Sequence, residues 1–334
     1  MSVPTVAIPI SEGTRRQVLD QATIDGMRAW ATVLLPATPG DVKGQEAGRM
    51  LAGADGVMTG WGSPALDAEL LAKAPRIRIL AHSAGTVKPF VSDALWARGI
   101  LVTSAAATIA VDVAHFAVGM MILGRKNVFE LAPLVGGGTW SSSQGHRKPD
   151  DLRGCTVGVV GAGSVGRAVL GILPAFGVRI LLSDPFVDAG AARGLGAEKA
   201  GLDDLFARSD VVSLHAPDLP ATRHIVNAAR LANMMDGAIL VNTARGALVD
   251  EAALVAELKK KRIWAFIDVT DPEPPPPGSP LFSCPNLTLT PHIAGSVGRA
   301  RLELGRTAAE ELRRFFAGEP PLHPVRREDL ARMA

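Results

Sequence analysis

Six residues, Gly161-Ala-Gly163-Ser-Val-Gly166, constrain the fold of this chain more than any other part of the sequence. They follow Thr156–Val160, an apolar run typical of a buried strand, and open the helix-like segment Ser164–Ala175. Here Gly161 allows a tight turn, Gly163 lets a ligand approach the backbone, and Gly166 lets the helix pack on the strand. The pattern predicts a loop that binds a dinucleotide pyrophosphate at the N-terminus of a helix.

An acidic residue stands at the distance from this loop that dinucleotide binding requires. Asp184 follows the next predicted strand, Val178–Ser183, and lies 23 residues after Gly161. Its carboxylate can accept hydrogen bonds from the adenosine ribose hydroxyls, whereas it would face the 2′-phosphate of NADP with like charge. We therefore expect NAD rather than NADP.

Two other interpretations of the same residues stay open. The glycines could form an ordinary turn in an unrelated α/β protein. Alternatively, Ala162-Gly-Ser164-Val-Gly166 is similar to the nucleophile elbow of serine hydrolases, with Ala in place of the first Gly. The elbow accounts for fewer positions, because it leaves Asp184 without a role.

Apolar runs and helix-like segments alternate along the whole chain. In the second half the predicted strands are Thr156–Gly161, Val178–Ser183, Val211–His215, Ala238–Asn242, Ile263–Asp268 and Leu287–Thr290. Six strands with helical crossovers predict a doubly wound parallel sheet. In the first half the strands are Val6–Ile8, Thr32–Leu35, Gly56–Thr59, Ile77–Ala81 and Ile100–Val102, which predict a smaller α/β domain. A long helix, Val297–Phe316, is expected to fold back onto this domain and make it discontinuous.

Composition excludes several classes of protein. With 47% apolar and 20% charged residues among 334, the chain can form a large core, which excludes wholesale disorder. A net charge of +2 does not predict nucleic-acid binding, and two cysteines fit a reducing compartment without a disulfide scaffold. No cluster of His and Cys has metal-ligand spacing. The N-terminal residues indicate a first strand rather than a signal peptide.

The longest apolar stretch, Ala105–Gly124, is long enough to cross a bilayer but contains Asp112 and His115. It predicts a buried helix between domains or subunits rather than a membrane span. We expect a cytoplasmic protein without a membrane or nucleic-acid partner.

Three ionisable residues each follow a predicted strand of the second half: Arg245, Glu273 and His292. In an open α/β sheet, ligands bind outside the carboxyl ends of the strands, so these side chains can converge on one crevice. A guanidinium can hold a carboxylate through two hydrogen bonds, and an imidazole can exchange a proton with a carbonyl oxygen. A neighbouring carboxylate can fix the imidazole ring. The set suits hydride exchange between a nicotinamide and a carbonyl group.

The chain resembles the D-isomer-specific 2-hydroxyacid dehydrogenase family. The resemblance rests on Leu214-His-Ala-Pro217, Val241-Asn-Thr-Ala-Arg245-Gly, Asp268-Val-Thr-Asp-Pro-Glu273 and Thr290-Pro-His292-Ile-Ala-Gly295. It implies two Rossmann-like domains with a cleft between them, usually in a homodimer. On this basis we expect a flavodoxin-like substrate-binding domain at residues 1–105 and 299–334, and an NAD-binding domain at residues 106–298. It also implies an oxidoreductase that interconverts a small 2-oxo acid and a D-2-hydroxy acid.

The resemblance further implies roles for individual residues. The family's catalytic residues match Arg245, Glu273 and His292. The positions matching its cofactor contacts are Gly161, Gly163, Ser164, Val165, Gly166, Asp184, His215, Ala216, Pro217, Thr222, Thr243, Ala244, Arg245, Asp268, His292, Ala294 and Gly295. Of these, Asp268 matches the residue that binds the nicotinamide carboxamide. Ala84 and Gly85 match the loop whose amides hold the substrate carboxylate.

Departures from the family pattern narrow the substrate. Phosphite-oxidising members carry Lys where this chain has Ala84, and formate-oxidising members carry Gln where it has Glu273. Neither substrate is therefore expected. Thr270 stands where many members have an aromatic residue. We expect no additional regulatory domain of the kind found in longer phosphoglycerate dehydrogenases.

A second class of function stays open, because the family includes transcriptional corepressors that keep the fold and the three ionisable residues. The alternative is an NAD(H)-sensing interaction protein. The sequence shows neither a long disordered tail nor a basic arm, which favours the enzyme.

Overall fold

The computed structural model describes residues 3–142, 147–284 and 286–333. The chain divides into two units. Described residues up to Ile109, together with Ser296–Met333, form the first, and Ala110–Gly295 form the second. Each unit has its own β-sheet and apolar core. The predicted fold class, two α/β domains of which the first is discontinuous, is confirmed.

The first unit begins with alternating strands and helices. The strands are β1 (Thr5–Ala7), β2 (Thr32–Leu34), β3 (Gly56–Thr59), β4 (Ile79–His82) and β5 (Leu101–Ser104). The helices are α1 (Glu12–Val18), α2 (Gln21–Arg28), α3 (Gly44–Ala52), α4 (Ala68–Lys73) and α5 (Asp93–Ala97). These strands pair in parallel in the order β2-β1-β3-β4-β5, which is the flavodoxin-like order.

Both faces of this sheet are apolar because successive side chains of a strand point to opposite sides. Leu80 packs in a cluster with Val57 on one face, whereas Ile79 and Ala81 pack in a second cluster with Met58. Helices must therefore cover both faces, as in the other sheets of this class.

The second unit has a larger sheet. Helices α6 (Ala106–Arg125) and α7 (Val128–Gly136) precede it. The strands are β6 (Thr156–Val160), β7 (Arg179–Ser183), β8 (Glu198–Lys199), β9 (Val211–Leu214), β10 (Ile239–Asn242), β11 (Trp264–Ile267) and β12 (Leu287–Leu289). The helices between them are α8 (Ser164–Ile172), α9 (Ala189–Gly194), α10 (Leu202–Arg208), α11 (Ala228–Asn233) and α12 (Glu251–Leu258).

All strands of this sheet are parallel, in the order β8-β7-β6-β9-β10-β11-β12. The chain runs outward from β6 through β7 and β8, and then crosses to β9. The carboxyl ends of β6 and β9 therefore form the crevice where doubly wound sheets bind ligands.

The sequence prediction missed some elements. It gave six strands for the second sheet, whereas the structure has a seventh, β8, which is too short to show a periodic pattern. The predicted helix Ser164–Ala175 ends at Ile172 and continues as a 3₁₀ turn, Leu173–Phe176, that contains Pro174. Proline has no amide to continue an α-helical ladder.

The C-terminal segment returns to the first unit. Helix α13 (Ala300–Ala317) packs on its sheet through Leu312, and β13 (Pro324–Val325) pairs antiparallel with β5. A Cβ atom on Gly305 would lie 1.9 Å from the carbonyl oxygen of Val18, so α13 and α1 are in close contact. The prediction that this helix folds back onto the first domain is confirmed.

Helix α6 corresponds to the long apolar stretch of the sequence. Ala117 and Met121 pack in the core of the second unit, whereas Val111 and Leu123 are exposed. The helix is therefore buried along one face only. Among the described residues it is the one helix long and apolar enough to cross a membrane, but core helices of soluble proteins meet the same criterion.

Candidate active site

The glycine loop connects β6 to α8, and each of its glycines has a different environment. Gly161 has φ +95°, and a Cβ atom there would lie 2.8 Å from the amide nitrogen of Ala216. A Cβ atom on Gly166 would lie 2.0 Å from the carbonyl oxygen of Gly161. At Gly163 a Cβ atom would meet no atom within 4 Å. Gly161 and Gly166 therefore permit close packing, while Gly163 faces open space.

Three backbone amides of this loop lack a protein acceptor among the residues that the structure describes. Among the hydrogen bonds of the described residues, the amides of Gly163, Ser164 and Val165 donate to no protein acceptor. They belong to the first turn of α8, where the positive end of the helix dipole also lies. Free amides and a positive dipole end suit a phosphate group.

Asp184 follows β7 and contacts the glycine loop directly. Its Oδ2 accepts a hydrogen bond from the Ala162 amide at 2.7 Å, and its Oδ1 accepts one from the Phe186 amide at 2.8 Å. Each carboxylate oxygen can accept a second hydrogen bond. The side chain therefore stabilises the loop and keeps acceptor capacity for a ribose hydroxyl.

The loop after β9 carries His215, Ala216, Pro217 and Thr222. His215 is buried, which lowers its pKa to about 4, so its imidazole is neutral at neutral pH. Its Nε2 lies 2.9 Å from the Ser213 hydroxyl. The Thr222 hydroxyl donates to the Pro217 carbonyl at 2.6 Å and accepts from the Leu219 amide at 2.8 Å, which closes the loop on itself.

Arg245 follows β10 and is half-buried. Its loop is fixed by Asn242, whose side-chain amide donates to the Arg245 carbonyl at 2.9 Å and whose side-chain oxygen accepts from the Ala244 amide at 3.0 Å. Burial lowers the pKa of the Arg245 guanidinium, and the negative charges of Glu273 and Asp218 oppose that shift. The cation is therefore partly desolvated and close to two carboxylates.

His292 follows β12 and contacts Glu273, which follows β11. The Nδ1 atom of His292 lies 2.6 Å from Oε1 of Glu273, and both side chains are partly exposed. Since an ionised carboxylate only accepts hydrogen bonds, Nδ1 carries the proton and Nε2 is left for another partner.

The structure brings Arg245, Glu273 and His292 to one edge of the sheet. Glu273 hydrogen-bonds His292 and acts electrostatically on Arg245. The loops also touch, because a Cβ atom on Gly246 would lie 2.0 Å from the carbonyl carbon of Thr270. In this arrangement the cation can bind a carboxylate group of a ligand, and the imidazole can exchange a proton with a neighbouring carbonyl oxygen.

Asp268 directly follows β11 and is buried. Its Oδ1 accepts from the Thr290 hydroxyl at 2.5 Å and from the Ile293 amide at 2.9 Å, and its Oδ2 accepts from the Ala294 amide at 2.8 Å. Ala294 is buried and Gly295 is half-buried beside it. Asp268 therefore organises the loop that carries His292.

Ala84 and Gly85 lie in the first unit, after β4. Ala84 is 1% exposed, and Gly85 is half-buried. Among the hydrogen bonds of the described residues, neither amide donates to a protein acceptor, whereas the Ala84 carbonyl accepts from the Ala105 amide at 3.0 Å. The preceding His82 is buried, with Nδ1 3.0 Å from the Thr59 hydroxyl and its ring 4.4 Å from that of Phe90. The structure thus leaves two backbone donors available on a loop with a rigid base.

Within the described part of the chain, five buried polar atoms of the second unit have no hydrogen-bond partner. Two of them, His215 Nδ1 and the Thr243 hydroxyl, directly follow the strands β9 and β10. Buried polar groups are nearly always paired, so such atoms need an explanation. The strand before His215, β9, neighbours β6, and the strand before Thr243, β10, neighbours β9. Together with the open space at Gly163 and the free amides, they fit a dinucleotide.

Sequence reasoning did not single out three residues of this site: Asn242, Asp218 and Thr290. Asn242 fixes the Arg245 loop, Asp218 acts on the Arg245 charge, and the Thr290 hydroxyl binds Asp268. All three stand next to predicted strand ends or in the quoted motifs. That position was the available signal. Asn242 bonds to its near neighbours Ala244 and Arg245, whereas the partners of Asp218 and Thr290 lie far away along the chain.

Comparison with known proteins shows which family the chain is similar to. The model of the family described as D-isomer specific 2-hydroxyacid dehydrogenase, NAD binding domain, matches residues 118–294. A glyoxylate reductase of Aeropyrum pernix is 35% identical over 269 residues, which are 79% of this chain and 80% of that protein. The match therefore includes part of the first unit.

Two further similarities cover different spans. A D-3-phosphoglycerate dehydrogenase of Mycobacterium leprae is 35% identical over 255 residues, which are 76% of this chain but only 48% of that protein. The chain thus spans about half the length of that relative. The solved structure of the TT0316 protein from Thermus thermophilus is 31% identical, with a TM-score of 0.74 over 96% of this chain and 100% of that one.

Proposed function

This chain belongs to the D-isomer-specific 2-hydroxyacid dehydrogenase family, and we propose that it is an NAD-dependent dehydrogenase interconverting a small 2-oxo acid and the matching D-2-hydroxy acid. The observation that carries the proposal is the 2.6 Å contact between His292 and Glu273 beside Arg245. It lies at the carboxyl edge of the same sheet that bears the glycine loop. Neither an ordinary glycine turn nor a serine hydrolase would need Arg245, Glu273 and His292 together at this edge.

Arg245 binds the substrate carboxylate and carbonyl oxygen in this proposal. A guanidinium offers paired N–H donors that match a carboxylate, and its partial burial strengthens such a contact. Glu273 and Asp218 keep the guanidinium charged. In the first unit, we propose that the free amides of Ala84 and Gly85 also bind a carboxylate.

His292 donates a proton to the carbonyl oxygen during reduction and accepts it during oxidation. Its Nδ1–H is held by Glu273, so Nε2 is the atom that exchanges the proton. Glu273 keeps the ring oriented and offsets the positive charge of the imidazolium. The pair is a catalytic acid–base unit because one nitrogen is fixed and the other is available.

The residues of the glycine loop hold the cofactor in this proposal. The amides of Gly163, Ser164 and Val165 bind the pyrophosphate, and Asp184 accepts from the ribose hydroxyls, which favours NAD over NADP. Asp268, Ala294 and Gly295 lie at the nicotinamide, and His215 Nδ1 and Thr243 Oγ1 gain partners. Ala216, Pro217, Thr222 and Ala244 are further proposed contacts. When bound, the nicotinamide supplies or accepts the hydride.

The names of relatives suggest where to look for the substrate. They include a glyoxylate reductase and a D-3-phosphoglycerate dehydrogenase, so we propose a substrate with a small or oxygenated side chain.

We also propose that the protein is cytoplasmic and forms a homodimer. Phe129, Val135 and Trp140 are 39%, 41% and 91% exposed, and a second copy of the chain could cover them.

The test is to mix the purified protein with NADH and follow the loss of NADH absorbance. Glyoxylate, hydroxypyruvate, pyruvate and 2-oxo acids with larger side chains form the substrate panel. We expect turnover with at least one of them, and formation of the D-isomer wherever the product is chiral. NADH binding without turnover on any acid would favour the NAD(H)-sensing alternative instead.

A further inference from the structure

We propose that Thr290 and Asp268 form a positioning pair, which holds His292 in the conformation that faces Glu273. The inference rests on the proposed function, because it concerns the geometry of the proposed proton donor. It goes beyond that function because it assigns a positioning role to Thr290, whose hydroxyl takes no part in the proton or hydride transfer. We call Thr290 and Asp268 the anchor pair.

The backbone of His292 needs such support. Its φ is +53°, in the left-handed region that residues other than glycine seldom adopt. The residue is also exposed, so packing of its side chain does not hold it there. A conformation of this kind persists only where surrounding contacts determine it.

The anchor pair supplies those contacts from both sides of His292. On the N-terminal side, the Thr290 hydroxyl donates to Asp268 Oδ1 at 2.5 Å. On the C-terminal side, the amides of Ile293 and Ala294 donate to Asp268 Oδ1 and Oδ2 at 2.9 and 2.8 Å. The His292 amide itself donates to the Asp268 carbonyl at 2.9 Å.

Burial makes these hydrogen bonds strong. Asp268 is 3% exposed, so water competes poorly for its carboxylate. Hydrogen bonds to a carboxylate with little access to water are stronger than neutral ones. Four of the five residues that follow β12, namely Thr290, His292, Ile293 and Ala294, are therefore hydrogen-bonded to Asp268.

The anchor does not use all of the acceptor capacity of Asp268. Each carboxylate oxygen can accept about two hydrogen bonds, and Oδ2 accepts one from the described residues. A cofactor amide can therefore bind Asp268 while the anchor is in place. Substitution of Asp268 would disturb both roles at once, whereas substitution of Thr290 disturbs the anchor alone.

Thr290→Val removes the hydroxyl at nearly constant volume. Oδ1 then loses one of its two donors, and the loop that carries His292 gains freedom. Because a displacement of about 1 Å can cost about 10²-fold in rate, we expect kcat to fall by tenfold or more, with a smaller change in the KM for the 2-oxo acid. The dissociation constant of NADH should stay nearly unchanged.

Two variants make the result specific. Thr290→Ser keeps the hydroxyl and should restore kcat to near the wild-type value. Thr288→Val makes the same chemical change two residues earlier, on β12. The described structure shows no side-chain hydrogen bond for Thr288, so this variant should leave kcat unchanged. If Thr290 has a merely structural role, Thr290→Val should lower the melting temperature and the activity together, and Thr290→Ser should not restore either.

A second measurement does not depend on turnover. Amide hydrogen exchange at Ile293 and Ala294, together with the NMR chemical shifts of the His292 ring, reports the anchor directly. We expect faster exchange and altered ring chemical shifts in Thr290→Val but not in Thr290→Ser or Thr288→Val. If Thr290→Val does not fold, Thr290→Ala is measured in its place.

The two proposals fail in different ways. Unchanged amide exchange and unchanged chemical shifts of the His292 ring in Thr290→Val overturn the anchor pair, whatever the activity. Absence of turnover in the wild-type protein, with the expected exchange pattern still present, overturns the proposed function and leaves the anchor in place.

Discussion

The Nδ1 atom of His292 lies 2.6 Å from Oε1 of Glu273, although the two residues are 19 positions apart and belong to loops after different strands. The contact leaves one imidazole nitrogen, Nε2, for a substrate. It also keeps the ring from rotating, which matters because the side chain is about half exposed.

Removal of the imidazole should abolish most of the activity. We expect His292→Ala to lower kcat by about 10²–10⁴-fold, which is the range for loss of a general acid–base. Glu273→Gln should lower kcat less, since the ring loses a charged partner but keeps Nε2. Steady-state kinetics with the best 2-oxo acid measure both. His323→Ala, in the first unit, serves as a control, and near-normal turnover of His292→Ala would remove the assigned role.

The guanidinium of Arg245 should contribute mainly to substrate binding. Arg245→Lys keeps the charge but loses the paired donors, so we expect the KM for the 2-oxo acid to rise by tenfold or more, equivalent to about 1.5–3 kcal/mol. Arg208→Lys is the matched control, because Arg208 pairs with Asp204 and Glu198 on the surface of the same unit. Equal KM values in the two variants would contradict the assignment.

The charge of Asp184 should determine the cofactor preference. Asp184→Asn keeps a side-chain oxygen that can accept from the Ala162 amide but removes the charge that opposes a 2′-phosphate. We expect the preference for NADH over NADPH, measured as a ratio of kcat/KM values, to fall by about tenfold, or about 1.4 kcal/mol. Asp188→Asn, at the N-cap of α9, should leave the ratio unchanged. An unaltered ratio in Asp184→Asn excludes the residue from this role.

Gly163 and Gly166 should respond differently to the same substitution. Gly166→Ala places a Cβ atom 2.0 Å from a carbonyl oxygen, so we expect a loss of stability of at least about 1–3 kcal/mol. Gly163→Ala meets no protein atom within 4 Å and should keep the melting temperature. It should instead weaken NADH binding by about tenfold, or about 1.4 kcal/mol. Calorimetry gives both the melting temperature and the dissociation constant of NADH. Unweakened NADH binding by Gly163→Ala would show that the open space at Gly163 does not hold the cofactor.

Stability should fall in mild acid because of the buried His82. Burial lowers its pKa from 6.5 to about 4, so between these values the unfolded chain binds a proton that the native chain does not. The free energy of unfolding therefore decreases as pH falls from about 6.5 towards about 4. For His82 alone the loss is about 2 kcal/mol between about pH 7 and about pH 5.

The measurement is denaturant-induced unfolding at those two pH values. His82→Gln cannot titrate and should lose about 2 kcal/mol less than the wild-type protein, whereas His323→Gln should behave like the wild type. The buried His215 contributes in the same direction in the second unit, since burial lowers its pKa to about 4 as well. A pH dependence equal in His82→Gln and the wild type would contradict this account.

Much of the fold follows from local rules. The glycine loop between β6 and α8 was predictable because the tight turn, the close packing and the helix start each require residue types that appear together in the sequence. The convergence of Arg245, Glu273 and His292 was predictable because parallel strands end at one edge. The two-residue strand β8 and the antiparallel strand β13 were not, since neither is long enough to show a periodicity.

The sequence by itself determined which chemical groups reach the carboxyl edge of the sheet, because strand ends and turns depend on neighbours in the chain. Only the tertiary structure decided how those groups are partnered. Asp184 binds an amide of the glycine loop, and Asp268 binds three donors around His292, over separations of 22 to 26 residues. The physical reason is that a hydrogen bond depends on a distance of about 3 Å in space, which the order of residues does not specify.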